Sequence, residues 1–181
     1  MGIDVDCWPL ADVPVAGADA VIGGRAFGTD PDKVAALAGA VAEGLRDGGV
    51  LPVVKHIPGH GRAAVDSHHE LPAVSADRAS LEATDFRAFR LLADLPLAMT
   101  AHVVFTAIDP VTPATTSVTI VREVIRELSR KKAHSGEEVP RELSAQPGRD
   151  AFDECIHEPA VDLEERAVIN AIVGACCTIG Q

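Results

Sequence analysis

Val50-Leu51-Pro52-Val53-Val54-Lys55-His56-Ile57-Pro58-Gly59-His60-Gly61 is the stretch that decides the fold. Val50–Val54 is a short apolar run, the kind that forms a strand buried on both faces. Two histidines and a lysine follow it at once, and Pro58, Gly59 and Gly61 bar a helix. The reading is therefore a buried strand that ends in a shaped, polar turn. Upstream, Asp30-Pro31 opens a helix, with Asp30 as N-cap and Pro31 in the first turn. Val34, Leu37, Ala38, Val41 and Leu45 mark its inner face, and Gly48-Gly49 stops it. Downstream, a second helix is expected over 79–92, with Leu81, Phe86, Phe89 and Leu92 inward. A strand is expected over 97–105, and a third helix over 117–128.

The opening residues, Gly2 to Trp8, alternate like a strand. Strand, loop and helix thus recur three times, which predicts an α/β fold with a parallel sheet. Polar and titratable residues gather after the C-terminal end of each strand, where such folds place their active sites. The chain opens inside its own first strand, which reads as an internal cut. After Leu128 the pattern changes. Residues 129–149 carry many charges with Gly and Pro and read as linker. Asp162-Leu163-Glu164-Glu165 resembles a capping box before an apolar helix. The expected domains are residues 1–128 and an unrelated, partly helical tail, 129–181.

Composition narrows the function. The 181 residues carry a formal net charge of -11, which argues against a nucleic-acid partner. Cys7, Cys155, Cys176 and Cys177 form neither a disulfide framework nor a C-x-x-C pair, and reduced thiols are expected. No signal-peptide pattern precedes Gly2, and no run approaches the ~20 apolar residues that span a bilayer. The expected setting is the cytoplasm, with no membrane partner.

Asp66 and His68 stand two apart in the loop that follows the decisive turn. A carboxylate so close to an imidazole can orient it for acid–base work near neutral pH. Lys55 and His56, at the strand's end, are donors suited to sugar hydroxyls. Two other readings stay open on the residues alone. The histidines can simply cap backbone groups, or His56, His60, His68 and His102 can form a zinc site, although no H-E-x-x-H spacing supports the latter.

Taken together, these segments resemble the β-N-acetylglucosaminidases of glycoside hydrolase family 3. The resemblance rests on Lys55-His56-Ile57-Pro58-Gly59-His60-Gly61 followed by Asp66-Ser67-His68, and on the Arg-containing loop Ile22-Gly23-Gly24-Arg25-Ala26-Phe27-Gly28-Thr29-Asp30-Pro31. Met99-Thr100-Ala101-His102-Val103, Pro113-Ala114-Thr115 and Val121-Arg122-Glu123-Val124-Ile125-Arg126 follow in the right order. It covers about residues 2 to 127. It implies part of a (β/α)8 TIM barrel, about three βα units of it, and a retaining hydrolysis of terminal β-linked N-acetylglucosamine. It also implies His68 as the histidine that protonates the leaving oxygen, Asp66 as its partner, and Arg25, Lys55 and His56 as sugar-binding residues. No cofactor and no metal are implied. The implied ligand is a small carbohydrate, a GlcNAc-containing muropeptide or a chitooligosaccharide. The family's Ser-Asp-Asp stretch, which bears the nucleophile, is not found in this sequence. The chain is therefore expected to be weakly active or inactive. A sugar-binding remnant and a defective gene product are the alternatives. Open barrel edges would favour self-association.

Overall fold

The computed structural model describes residues 2–18 and 22–129. The expected tail helix after Asp162 and nearly all of the tail lie outside the described residues. The described part is mixed α/β. Strand β1 (Val5–Asp6) is followed by a 3-10 turn (Gly23–Arg25) and helix α1 (Pro31–Asp47). Strand β2 (Leu51–Ile57), the short strand β3 (Ala73–Val74) and helices α2 (Arg78–Ala83) and α3 (Asp85–Leu91) come next. Strands β4 (Leu97–Thr100) and β5 (Val104–Phe105) precede a helical run 118–128. That run consists of α4 (Val118–Ile120), a π-helical turn (Val121–Ile125) and α5 (Arg126–Leu128).

β1, β2 and β4 form one parallel sheet in the order β1-β2-β4, while β3 and β5 pair in parallel as a separate two-stranded ribbon. Parallel neighbours need a crossover, and here the crossovers are helical, α1 and then α2 with α3. Helix α1 begins as the sequence dictates. The Asp30 carboxylate accepts a hydrogen bond from the Lys33 N–H at 2.8 Å, and Pro31 fills a first-turn position whose missing N–H costs nothing. The helix stops at Gly48-Gly49, where Gly49 takes φ +78°. The core joins Val34, Ala35 and Ala38 of α1 to Val54 and Ile57 of β2. Leu81, Phe86 and Phe89 of α2 and α3 complete it with Ile120, Val124 and Leu128 of the last helical run. Phe86 meets Phe105 edge to face at 6.0 Å between ring centres.

Five details depart from the expectation. β1 is two residues long and both are exposed, so the opening segment is not a buried strand. β2 runs on to Ile57, which puts Lys55 and His56 within the strand instead of beyond it. The expected strand over 97–105 is two, because Thr100 ends pairing with Ile57, and Val104 and Phe105 pair instead with Ala73 and Val74. The expected helix over 79–92 breaks at Thr84, whose φ of -125° and ψ of -82° fit no helix. Leu37 faces outward at 40% exposure, while Ala35 and Ala42 take inward places.

Candidate active site

The site grows from the C-terminal ends of β2 and β4. Beyond β1, Leu10 bridges to Lys55 as a parallel neighbour, and the Ala11 N–H donates to the Lys55 carbonyl at 2.7 Å. This registers Asp12 directly beside the end of β2. Asp12 is fully buried, and its carboxylate accepts three hydrogen bonds. One oxygen, Oδ1, takes the backbone N–H groups of His60 at 2.6 Å and His56 at 3.3 Å. The other, Oδ2, lies 2.8 Å from His56 Nδ1. A carboxylate can only accept, so His56 must carry its proton on Nδ1 and turn Nε2 away from Asp12. The His56 side chain is 20% exposed, so the outward face of the ring reaches solvent.

His60 sits behind, its ring centre 5.5 Å from that of His56. It is buried, and its Nδ1 has no hydrogen-bond partner among the described residues. Burial holds its pKa below the usual histidine value. The Asp12 carboxylate opposes that shift, His56 adds to it, and the Asp66 carboxylate opposes it as well.

Asp66 and His68 form the second carboxylate–imidazole pair. Asp66 Oδ1 accepts the His68 N–H at 2.9 Å and lies 2.8 Å from His68 Nδ1. The Asp66 carbonyl accepts from the N–H groups of His69 and Glu70, which closes the turn on itself. The His68 backbone N–H, and then its ring, hold the Asp66 carboxyl below the ordinary aspartate range. As at His56, the proton must lie on Nδ1, and here the side chain is 84% exposed. The outcome is an oriented imidazole with its Nε2 edge toward solvent, the arrangement that general acid–base chemistry needs.

The loop between the two pairs is packed against its surroundings at glycines. A Cβ on Gly61 would lie 2.2 Å from the Val13 carbonyl oxygen, and one on Gly59 would lie 2.9 Å from Asp85 Cβ. Arg62 donates from Nε to Asp85 Oδ2 at 2.6 Å and from a terminal nitrogen to Thr84 Oγ1 at 2.8 Å.

Of the expected sugar-binding residues, Lys55 and His56 are adjacent on β2, with Lys55 bound through its backbone to Pro9 and Ala11. Arg25 closes the exposed 3-10 turn before α1. His102, beyond β4, places Nδ1 3.2 Å from Thr115 Oγ1, whose hydroxyl donates to the Ala101 carbonyl. No three His, Cys, Asp or Glu side chains among the described residues are placed to hold a metal ion. A cleft of about 360 Å³ lies elsewhere, among Arg78, Arg122, Glu123, Arg126 and Glu127 on the helical side, and contains none of the expected site residues. Nothing local in the sequence marks Asp12, which stands 44 residues from His56. Only the strand pairing of Leu10 with Lys55 brings the two together.

The chain is 43% identical over 150 residues to a β-hexosaminidase of Alkalilimnicola ehrlichii, covering 81% of this chain and 42% of that protein. NagZ of Neisseria gonorrhoeae superposes with a TM-score of 0.66 at 38% identity, over 70% of this chain and 37% of that one; it is also known in complex with N-trifluoroacetyl-D-glucosamine. A glycoside hydrolase family 3 β-N-acetylglucosaminidase from Paenibacillus superposes at 0.67 and 37% identity, over 70% and 25%. The chain therefore spans between a quarter and somewhat over two fifths of the length of these relatives. Residues 1–129 match the glycosyl hydrolase family 3 N terminal domain, and the chain belongs to that family.

Proposed function

We propose that the chain carries the acid–base and sugar-binding part of a retaining β-N-acetylglucosaminidase, with His68 as the proton donor. The observation that carries this reading is the 2.8 Å contact of His68 Nδ1 with Asp66, which leaves the ring's other nitrogen outward. In the first step the protonated ring gives its Nε2 proton to the glycosidic oxygen as an aspartate attacks the anomeric carbon. The positive charge on the ring beforehand is balanced by Asp66. In the second step the neutral ring takes a proton from the water that releases the sugar. His56, aimed by Asp12, offers Nε2 as an acceptor for a sugar hydroxyl, and Lys55 and Arg25 supply donors.

The three βα units are read as one side of a (β/α)8 barrel. The attacking aspartate belongs to a Ser-Asp-Asp stretch that this sequence lacks, so residues 1–181 alone bind the sugar and turn it over weakly or not at all. Acid catalysis without the covalent route supplies only ~10²–10⁴-fold. The ligand class is a small GlcNAc-containing carbohydrate, a muropeptide or a chitooligosaccharide, met in the cytoplasm. No helix among the described residues is long and apolar enough to cross a membrane. Among the described residues β1 and β4 are the sheet's edges, and they offer a route to self-association.

Two measurements test the reading. Titration with GlcNAc should show saturable binding, weakened by His56→Ala. Incubation with an aryl β-N-acetylglucosaminide should give little product. Clear turnover lost in His68→Ala would overturn the claim of impairment, and failure to bind GlcNAc would overturn the sugar site itself.

A further inference from the structure

We infer that Arg62, gripped by Asp85 and Thr84, is the positioning residue of the loop that presents Asp66 and His68. The inference rests on reading that pair as the acid–base pair, because it concerns how the pair is aimed. Arg62 is the first side chain after the glycine turn and lies four residues before Asp66. Its side chain is 20% exposed, and its guanidinium reaches the carboxylate of Asp85, a side chain only 1% exposed, at 2.6 Å and the Thr84 hydroxyl at 2.8 Å. The same hydroxyl is 2.8 Å from the Ser80 carbonyl and 2.7 Å from Asp85 Oδ2. These groups meet at the break between α2 and α3. An unbroken helix would carry Thr84 and Asp85 in its regular spiral. The break instead lets both face the loop.

On the strand side the other supports end at buried Ala63, and beyond the turn they resume only at Pro72 and β3. Asp12 holds the backbone at His56 and His60, and the Gly61 contact with Val13 holds the turn. The Asp66 turn is bonded within itself, to His68, His69 and Glu70. Exposed bonds within so short a turn hold it only weakly on their own, and Arg62 ties it to the helical layer. A guanidinium suits this role because its fork satisfies two partners at fixed angles, which an ammonium cannot do. Arg62 touches no reacting atom in this account; it acts through the loop.

The test reads the imidazole tautomers by 15N NMR on the full chain, without sugar. In the wild type both His56 and His68 should report Nδ1–H, each held by its own carboxylate. In Arg62→Ala, His68 should move toward the tautomer mixture of a free imidazole while His56 stays unchanged. Arg62→Lys should restore part of the shift, since it keeps the charge but loses the fork. Thr84→Val removes one partner only, and should displace the His68 signal by less, in the same direction. It serves if the alanine variant does not fold. An unchanged His68 signal in folded Thr84→Val and Arg62→Ala protein would overturn the inference, as would loss of both histidine signatures together. GlcNAc titration of the wild type separates the two ideas. A tautomer response without sugar binding keeps the positioning role and removes the glycosidase reading, while sugar binding without a tautomer response does the reverse.

Discussion

Replacing Asp12 by asparagine exchanges one carboxylate oxygen for an amide nitrogen, and the consequences can be worked through. Oδ1 can stay where it is and still accept the N–H groups of His56 and His60. The new NH₂ group would face His56 Nδ1, which now carries a proton, and two donors cannot bond. The ring must therefore shift its proton to Nε2 and accept at Nδ1. Each of the three bonds also loses its ionic character, worth about 1 kcal/mol apiece, while burial of a charge is relieved. The net cost is about 1–3 kcal/mol. Asp12→Ala is worse. It strands two backbone donors beside a fully buried position, at about 1–3 kcal/mol each. The half-buried His56 ring can partly recover with water, so the sum is about 3–5 kcal/mol out of a typical domain stability of about 5–15 kcal/mol. Urea denaturation gives both differences, and 15N shifts of the His56 ring give the tautomer. A sugar hydroxyl that donated to Nε2 would then meet a donor, and GlcNAc affinity should fall. An asparagine variant that keeps its His56 proton on Nδ1, or an alanine variant that loses under about 1 kcal/mol, would refute this role of Asp12.

Gly61→Ala should destabilise by at least about 2 kcal/mol, because its Cβ meets the Val13 backbone and not a flexible side chain, whereas Gly24→Ala, with nothing within 4 Å, should stay within about 0.5 kcal/mol; thermal melts of the two compare them directly. Asp30→Ala should cost about 1 kcal/mol through loss of the α1 cap, seen as a lower urea midpoint with an unchanged slope. His60, whose pKa is lowered in the fold, binds fewer protons there than in the unfolded chain near pH 6. Its contribution to stability is complete above its ordinary value of 6.5 and is withdrawn as the pH falls through the folded value, so His60→Leu should flatten the stability profile just below pH 6.5. The Asp66 shift has the matching sign at lower pH. Its contribution stands above the ordinary value of 3.8 and is lost only as the pH falls beneath it, which a carboxyl 13C titration would show.

The features legible in the sequence are local ones. The α1 cap at Asp30, its stop at Gly48-Gly49, the buried strand at Val53 and Val54 and the contact of Asp66 with His68 all depend on residues a few positions apart. The features that escaped depend on distant contacts. Asp12 earns its role through residues 44 and 48 positions on. The break at Thr84 coincides with the docking of Arg62, and the splitting of the strand over 97–105 answers to a partner at Ala73 and Val74. Period alone also misjudged Leu37, which fits the apolar spacing of α1 yet faces outward while alanines take the close approach to the sheet.

Each of the two outward imidazoles has a separate carboxylate, one rooted in the sheet and one carried within its own turn. Their aims are thus mechanically independent. Segments grafted from other sequences between residues 62 and 70 could re-aim the His68 ring while the His56 ring at the sheet margin stays undisturbed, so the two pairs are free to diversify at different speeds.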